Sequence, residues 1–338
     1  MTHDTGDKGE DAIDPAKSSP PETAPRTGPH HGGFAAIIGA PNAGKSTLTN
    51  RLVGAKVSIV TRKVQTTRFP VRGVMMRGAT QIVLVDTPGI FAPKRRLDRA
   101  MVRSAWAGAE DADAIVHMID ASAWASELSG RVSGAEGKSI ADDKRVIADL
   151  KSSGRKAFLA LNKIDLFKSD ALLPITQTLF ETGVYEEVFM ISAERGHGVE
   201  GLAKALAARM PAGEWLYPED QVADLPMRLL AAEVTREKLF LRLHDELPYQ
   251  ATVETENWEE RKDGSVKIDQ AILVGREAHK KMVLGRKGTT IHDIGKASRL
   301  DLETMLGRKV HLFLFVKVQP NWLEDSRLYG ELGLDYNA

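Results

Sequence analysis

The chain has 338 residues, a length typical of two domains. Apolar residues make up 42% and charged residues 27% of it, proportions typical of a folded globular protein. Lysine plus arginine and aspartate plus glutamate balance at 46 each, so a nucleic-acid partner requires a local basic patch rather than an overall positive charge. The absence of cysteine excludes disulfides and thiolate metal sites and suits a reducing cytoplasm. No apolar run reaches the length of a transmembrane helix.

The first 33 residues are rich in Asp, Pro, Gly, Ser and Thr and lack the apolar stretch of a signal peptide, which predicts a disordered tail over residues 1–33. After it, short apolar runs alternate with helix-length segments, which predicts a mostly parallel sheet with helices on both faces over residues 34–210. Strands are expected at Phe34–Gly39, Pro70–Arg77 (at a sheet edge), Gln81–Asp86, Ala114–Ile119, Ala157–Leu161 and Val188–Ile191, and helices at Lys45–Val53, Leu97–Glu110, Ile140–Ser153, Asp170–Thr182 and Val199–Met210.

The remaining segments differ in composition. Ala121–Lys138 is rich in Ser, Gly and Ala with little periodicity, which predicts a surface insertion loop. Residues 211–226 contain three prolines and a glycine, which predicts a linker. Residues 227–322 predict a small α+β domain with a three-stranded sheet, followed by a C-terminal tail over 323–338. In that domain the expected elements are Met227–Leu247 (helix), Tyr249–Glu256 (strand), Ser265–Val274 (strand), Thr289–Leu306 (helix) and Val310–Val318 (strand).

A phosphate-loop pattern follows the first predicted strand and opens the first predicted helix. It runs from Gly39 to Ser46 as Gly, four residues, Gly, Lys and Ser. Its glycines let backbone N–H groups turn inward around phosphates, and the helix N-terminus adds partial positive charge. We expect Lys45 to reach the β- and γ-phosphates and the Ser46 hydroxyl to ligate Mg²⁺. The nucleotide contacts expected from this loop are Pro41, Asn42, Ala43, Gly44, Lys45, Ser46 and Thr47.

Two later segments are expected to respond to the γ-phosphate. In the string Asp-Thr-Pro-Gly, Asp86 is placed to hold Mg²⁺ through water and the Gly89 N–H to meet the γ-phosphate. The string Lys63–Arg68 lies upstream, and a nucleotide-sensing loop needs a threonine that ligates Mg²⁺ only while the γ-phosphate is present. Thr67 is the first choice for that ligand and Thr66 the alternative. The string that ends the strand adds Asp86, Thr87, Pro88 and Gly89 to the expected nucleotide contacts.

Two further strings predict that the base is guanine. The Asp165 carboxylate can accept hydrogen bonds from two donors of guanine that adenine lacks. Asn162 can brace this loop, and the stem of Lys163 can lie over the base. After the next strand, Ser192 and Ala193 can present a backbone N–H to guanine O6. Because the carboxyl ends of parallel strands share one edge of a sheet, the four motifs predict a single guanine-nucleotide site.

The expected hydrolysis is slow. In Ras-like proteins a glutamine directly after the third motif orients the attacking water, and here that position is Ile90. Asn42, together with backbone carbonyls, is a candidate ligand for K⁺ against the β- and γ-phosphates, where a cation would offset developing charge. The alternative is that Asn42 only suits its backbone geometry. The candidate catalytic residues are Lys45, Thr67, Gly89 and Asn42, and the candidate Mg²⁺ ligands are Ser46, Thr67 and Asp86.

A basic Gly-x-x-Gly string lies in the second predicted domain, at Gly285–Gly288. In KH domains such a loop clamps the backbone of single-stranded RNA. The string recurs elsewhere in the chain, but this copy alone has two basic residues between its glycines and a predicted strand–loop–helix setting. Nine lysines and arginines against four acidic residues between Arg276 and Lys309 favour phosphate contacts, the alternative being a solvated helix face. The candidate RNA contacts are Arg276, Lys280, Lys281, Gly285, Arg286, Lys287 and Gly288.

From about Gly33 to Trp322 the chain resembles the bacterial Era family of ribosome-associated GTPases. The resemblance rests on the nucleotide motifs and, more specifically, on Lys63–Arg68 and the junction Glu214–Gln221. The runs Glu233–Lys238, Glu246–Pro248 and Gly285–Gly288 also resemble the family's second domain.

The resemblance implies a P-loop GTPase domain (34–210), a linker (211–226) and a type II KH domain (227–322). It further implies binding of GTP or GDP with Mg²⁺, slow hydrolysis, engagement of the 3′ region of 16S rRNA and assistance to 30S subunit assembly. The expected location is cytoplasmic, as a monomer with peripheral contact to the inner membrane. Two alternatives remain: a GTPase whose C-terminal domain engages a protein or membrane partner, and a tRNA-modification GTPase, a class that uses a C-terminal cysteine this chain lacks.

Overall fold

The computed structural model describes residues 29–61, 63–168, 171–244 and 246–338. Most of the tail predicted over residues 1–33 therefore lies outside the described residues, as does Asp170 at the start of one predicted helix. The first strand begins at His31, so the last three residues of the predicted tail belong to the sheet. In the described chain no helix is both long and apolar enough to cross a membrane.

The first domain alternates strands and helices in the predicted order. Its central strands are largely buried, and the helices that flank them bury one apolar face. In chain order the elements are β1 (His31–Ile38), α1 (Lys45–Val53), β2 (Val71–Arg77), β3 (Thr80–Asp86), α2 (Arg96–Glu110), β4 (Ala114–Asp120), α3 (Ala121–Leu128), α4 (Gly134–Ser152), β5 (Ala157–Asn162), α5 (Leu173–Phe180), β6 (Tyr185–Met190), α6 (Val199–Arg209) and β7 (Ala223–Asp224).

The described strands of this domain form one sheet in the order β6-β5-β4-β1-β3-β2-β7. The five strands from β6 to β3 run parallel, and β2 is antiparallel to β3. Helices α2 to α5 pack on one face around Trp124 and Ile175, and α1 and α6 pack on the other around Leu48 and Leu202. The parallel order brings the carboxyl ends of β1, β3, β5 and β6 to one edge, which is where the four nucleotide motifs begin.

The insertion loop predicted over Ala121–Lys138 is wrong, because this stretch forms α3 and the first turn of α4. Asp120 caps α3 by accepting the Ser122 N–H, and Ser133 and Glu136 form a capping box at the start of α4. Each such cap stabilises a helix by about 1 kcal/mol. The spacing Ser-x-x-Glu is typical of a capping box, but the small, polar residues of this stretch favoured the prediction of a loop.

The predicted linker is attached to the first domain over most of its length. The Trp215 indole N–H donates to the Ala79 carbonyl oxygen at 3.0 Å, and Gln81 Oε1 accepts the Leu216 and Tyr217 N–H groups at 2.8 and 2.9 Å. Residues of β7 then pair with Arg72 and its neighbour in β2. The strand predicted at Pro70–Arg77 is therefore covered, and the edge of the sheet is the linker strand.

The second domain forms a three-stranded sheet in the order β10-β9-β8, with β8 antiparallel and β10 parallel to β9. Helices α7 and α9 cover one face around Phe240 and Ile294. The strand–loop–helix setting predicted for Gly285–Gly288 is wrong, since a helix precedes the loop. The elements are α7 (Met227–Arg242), β8 (Ala251–Glu260), β9 (Val266–Val274), α8 (Glu277–Leu284), α9 (Thr289–Leu306), β10 (Val310–Val318) and α10 (Ser326–Glu331).

The segment predicted as a C-terminal tail over 323–338 packs back onto the first domain. Tyr329 is fully buried and Leu334 nearly so, against Leu97 and Met101 of α2. Ion pairs reinforce the contact, among them Arg103 with Asp335 at 3.1 Å. Helix α2 directly follows the Asp-Thr-Pro-Gly motif, so the second domain contacts the first beside its nucleotide motifs.

Candidate nucleotide site and nucleic-acid interface

The four nucleotide motifs meet at the carboxyl edge of the parallel strands. Asn162 joins two of them, because its Nδ2 donates to the Ala43 carbonyl oxygen at 2.8 Å while its Oδ1 accepts the Ala193 N–H at 2.9 Å. The phosphate loop and the third strand end are joined through the Ile90 N–H, which donates to the Gly39 carbonyl oxygen at 3.0 Å. The bracing role predicted for Asn162 thus corresponds to contacts that the fold makes.

The phosphate loop turns through left-handed backbone conformations at Asn42 (φ 64°) and Gly44 (φ 104°). A Cβ on Gly44 would meet the Asn162 side chain at 2.4 Å, so glycine is required there. Lys45 is buried, and its ammonium donates to the carbonyl oxygens of Gly39 and Ala40 at 3.0 and 2.9 Å. Burial lowers the pKa of Lys45 to about 8, against the opposing effect of Asp86. A bound triphosphate would supply negative charge to pair with this buried ammonium.

The predicted Mg²⁺ ligands lie together. The Ser46 and Thr67 hydroxyl oxygens are 2.9 Å apart, whereas the alternative, Thr66, bonds instead to Thr61 at 2.6 Å. Asp86 is fully buried, and neither of its carboxylate oxygens makes a well-formed hydrogen bond within the described residues.

Burial raises the pKa of the Asp86 carboxyl, while the nearby hydroxyls of Ser46 and Ser58 and the Lys45 ammonium act in the opposite direction. A buried carboxylate flanked by two hydroxyl groups is the oxygen-rich donor set that Mg²⁺ prefers. The residues present therefore fit the ion. Ser58 was missed at the sequence level, because nothing in its local string marks it as close to Asp86.

The turn after β3 leaves no room for side chains beside the phosphate loop. A Cβ on Gly89 would lie 2.9 Å from the Pro41 nitrogen, so only glycine fits. Thr87 donates its hydroxyl to the Ile37 carbonyl oxygen at 2.8 Å. Ile90 is fully buried in the core, which agrees with the expectation that this side chain orients no water.

The guanine end of the site carries the predicted carboxylate. The Ser192 hydroxyl, followed by the charges of Arg195 and His197, holds the pKa of Asp165 below its usual range despite partial desolvation. Asp165 is therefore ionised at neutral pH and able to accept hydrogen bonds. Arg195 Nε lies 3.2 Å from Asp165, and that arginine side chain is 63% exposed, so a base can displace it. Arg195 was not singled out from the sequence.

The Lys163 ammonium is ion-paired with Asp120, the residue that ends β4. Lys163 has a left-handed backbone (φ 67°), which turns the chain sharply at the end of β5. The pairing holds the end of the Lys163 side chain against Asp120. Asp120 had been assigned no role from the sequence, although its place at a strand end matched that of the other motifs.

The Gly-x-x-Gly loop joins α8 to α9. Gly285 (φ 73°), Lys287 (φ 53°) and Gly288 (φ 79°) all have positive φ. A Cβ on Gly285 would approach Thr290 Oγ1 to 2.1 Å, so this glycine cannot be replaced without displacing the start of α9. Arg286 and Lys287 are exposed at the tip of the loop. Of the other candidate contacts, Arg276 and Lys281 are exposed and Lys280 is partly buried on α8.

A groove of about 480 Å³ lies next to this loop, between α9 and the edge strand β10. Its floor is apolar, and its rim carries two basic side chains and an imidazole from α9. No sequence pattern identified it, since it forms only where α9 packs beside β10. The lining residues are Ile291, His292, Gly295, Lys296, Arg299, Leu312 and Leu314.

Comparison with known proteins agrees with this arrangement. Residues 34–163 match the family model described as 50S ribosome-binding GTPase, and residues 246–323 match the KH domain model. The GTPase Era of Caulobacter vibrioides is 61% identical over 306 residues, covering 90% of this chain and 97% of that protein. That of Maricaulis maris is 57% identical over 310 residues, covering 92% and 99%.

Two solved structures are similar over 90% of this chain and 99% of theirs, each with 36% identity and a TM-score of 0.81. One is an Aquifex aeolicus Era variant bound to GDP·AlF4⁻. The other is Era in complex with MgGDPNP and nucleotides 1506–1542 of 16S ribosomal RNA. With identity well above half over nine-tenths of its length, this chain is a GTPase and belongs to the Era family.

Proposed function

We propose that this GTPase is a switch that binds the 3′ region of 16S rRNA through its second domain and assists assembly and maturation of the 30S subunit. The observation that carries the proposal is the basic Gly285–Gly288 loop beside an apolar groove with a basic rim. This combination suits a single strand, whose phosphates meet the loop and whose bases enter the groove. The similarity to an Era solved with nucleotides 1506–1542 of 16S ribosomal RNA supports the choice of RNA.

At the nucleotide site we assign binding of the phosphates to Lys45 and the backbone N–H groups of the phosphate loop. Ser46, Thr67 and Asp86 would hold Mg²⁺, which supplies positive charge to the β- and γ-phosphates when bound. Asp165 accepts the guanine donors, and Gly89 offers its N–H toward the γ-phosphate. Hydrolysis is slow, because the position that orients water in Ras-like proteins holds a buried isoleucine.

Coupling between the sites follows from where the second domain contacts the first. GTP orders Thr67 and the turn at Gly89, while the second domain packs against the loop that carries Thr67 and, through Tyr329, against α2. A change in either segment on hydrolysis therefore changes the docking of the RNA module. This makes RNA affinity dependent on the nucleotide.

The test compares the affinity of the full chain for a 3′ fragment of 16S rRNA in the presence of a non-hydrolysable GTP analogue, GDP or no nucleotide. We expect the tightest binding with the GTP analogue. Equal affinities in the three states would refute the coupling. Sequencing of RNA crosslinked to the protein with GTP and with GDP then identifies the bound region, and recovery of no ribosomal RNA would favour a protein or membrane partner.

We also propose that Asn42 holds K⁺ against the β- and γ-phosphates. Its position in the phosphate loop supports this assignment, since a cation there would offset charge that develops in the transition state, whereas its left-handed backbone is what the conformational alternative predicts.

A monomeric, cytoplasmic protein with peripheral contact to the inner membrane completes the proposal, and the family resemblance supports it. Phe313 and Phe315 of β10, which are 45% and 51% exposed on one face of an edge strand, are a candidate contact for a membrane surface.

A further inference from the structure

The loop that carries Thr67, here called the threonine loop (residues 56–61 and 63–68), lies along α7 of the second domain. The Glu237 carboxylate accepts the Lys56 ammonium at 2.6 Å and the Val60 N–H at 2.9 Å. Further along, the Lys63 ammonium donates to the carbonyl oxygens of Phe240 and Leu243 at the end of α7. The second domain thus determines the path of this loop at several points before it reaches Thr67.

Arg236 makes the contact nearest to Thr67. Its guanidinium is 1% exposed and donates from Nη2 to the carbonyl oxygen of Thr66. Nε donates to Glu233 Oε1 at 2.6 Å, and the guanidinium lies 5.1 Å from the centre of the Phe240 ring. Because partners on α7 itself orient the guanidinium, it meets the loop as a preorganised donor.

The residue on the other side of Thr67 is also held by the second domain. Arg68 is 5% exposed, its Nη2 donates to the Ala251 carbonyl oxygen at 3.1 Å, and its guanidinium lies 5.5 Å from the Trp322 ring. Burial, and then the charge of Arg236, lowers the pKa of Arg68 to about 9. Both neighbours of Thr67 are therefore fixed while its hydroxyl sits 2.9 Å from that of Ser46.

Ordinary packing does not explain this choice of residues. Two guanidinium groups are buried close together beside a single carboxylate, Glu233, and Nη1 of Arg68 and of Arg236 lacks a hydrogen bond within the described residues. Apolar side chains of similar shape would join two domains at a lower desolvation cost. The two arginines instead provide directional bonds to the backbone at their ends, which is what positioning a loop requires.

We infer that Arg236 is a positioning residue for the GTPase reaction, and that by holding the Thr66 carbonyl it keeps the Thr67 hydroxyl beside Ser46. The second domain then completes the Mg²⁺ part of the nucleotide site. The inference rests on the proposed role of Thr67 as a Mg²⁺ ligand in the GTP state. Its consequence is specific: loss of Arg236 weakens the GTP state and leaves the GDP state unchanged, because Thr67 serves only the former.

The test replaces Arg236 with alanine or lysine in the full chain, without RNA. For Arg236→Ala we expect the affinity for a non-hydrolysable GTP analogue at low Mg²⁺, and the rate of GTP hydrolysis, to fall about tenfold, as for loss of one charged hydrogen bond. GDP affinity stays unchanged, and raising Mg²⁺ restores part of the loss. Arg236→Lys recovers part of it, since an ammonium can still donate to the Thr66 carbonyl.

The matched control is Arg242→Ala, on the same helix, where the arginine pairs with Asp293 within the second domain. We expect nucleotide affinities and hydrolysis to match those of the unchanged protein. If Arg236→Ala lowers the affinities for GTP and GDP equally, or lowers neither of them, the inference is wrong. Should Arg236→Ala fail to fold, Glu237→Ala tests whether α7 positions the same loop, through its separate contact with the Val60 N–H, and the same selective loss of the GTP state is expected.

A double substitution separates this inference from the function on which it rests. If Arg236 acts through Thr67, its replacement has little further effect in a Thr67→Ala background, whereas independent effects multiply. If Thr67→Ala alone leaves the Mg²⁺ dependence of GTP binding unchanged, the assignment of Thr67 fails. If Thr67→Ala reduces the Mg²⁺ dependence of GTP binding and Arg236→Ala does not, only the role assigned to Arg236 fails.

Discussion

The two ends of the nucleotide site are held by different parts of the molecule. At the guanine end, Asn162 joins Ala193 to the phosphate loop, and Asp165 contacts the Ser192 hydroxyl, all within the first domain. At the γ-phosphate end, the threonine loop is held by α7 and β8 of the second domain. With the proposed residue roles, a self-contained frame would recognise the base, whereas a loop shared between domains would contact the γ-phosphate, which is lost on hydrolysis.

The difference follows from what each end has to do. Selecting guanine requires donors and acceptors that are fixed before binding, because a misplaced buried polar group no longer discriminates guanine from adenine. Reporting hydrolysis requires a segment with two arrangements of similar free energy, and a loop at a domain interface provides that. Substitutions at the two ends are therefore expected to have separable effects.

The largest effect is expected at the phosphates, which both ends share. Lys45→Ala removes the buried ammonium, and we expect nucleotide affinity to fall roughly a thousandfold, as for a buried charge pair that loses one partner. Isothermal titration with GTP and with GDP measures it. A variant that binds GTP within a few-fold of the unchanged protein would show that the phosphates lie elsewhere.

Replacement at the guanine end is expected to alter base choice. Asp165→Asn removes the acceptor for the two guanine donors, so we expect GTP affinity to fall about a hundredfold while the weak affinity for ATP does not fall with it. Competition between GTP, ATP and XTP measures the preference. Unchanged GTP selectivity would refute the assignment of Asp165, and the response to Mg²⁺ serves as the control that the other end is intact.

A substitution in the RNA module, away from both ends, is expected to spare the chemistry. In Gly285→Asp a side chain would collide with Thr290, and a carboxylate would repel phosphates. We expect affinity for the rRNA fragment to fall about tenfold or more, with hydrolysis in the absence of RNA unchanged. Lys262→Ala, in the turn between β8 and β9 and outside the basic stretch, is the control. Loss of hydrolysis in Gly285→Asp would contradict the separation of the two sites.

The smallest effect concerns the monovalent cation. If Asn42 helps to hold K⁺, replacing K⁺ by Na⁺ at constant ionic strength slows hydrolysis severalfold, and Asn42→Ala removes the difference. Phosphate release measured in the two salts provides the comparison. Equal rates in K⁺ and Na⁺ would exclude the cation, and nucleotide affinity unaltered by the substitution is the control for the loop's integrity.

The sequence was informative wherever function depends on a short string. A phosphate loop, Asp86 at a strand end and the Asn162–Asp165 string imply their own geometry, because each needs only a few consecutive residues on a strand–turn–helix unit. For the same reason the parallel sheet, the three-stranded second domain and most element bounds were predicted to within a few residues. The family resemblance was confirmed by the relatives.

The predictions that were wrong relied on composition or on local context. Ala121–Lys138 was predicted to be a loop because most of its residues are small or polar. A capping box and the burial of Trp124 instead stabilise two helices there. The segment before Gly285 looked like a strand because Val283 and Leu284 are apolar, although α8 uses them to face the core. Short apolar runs suit either structure until a partner surface selects one.

By itself the sequence determined which chemical groups lie at each strand end, since the residues predicted to meet phosphate, Mg²⁺ and guanine lie in contiguous strings. Only the tertiary structure decided that Arg236, from the second domain, lies beside Thr67 of the first, 169 positions away in the chain. No local pattern marks such a contact, because burial of a charged run on α7 depends on the surface that packs against it. Domain docking therefore settled which part of the site can report the state of the nucleotide.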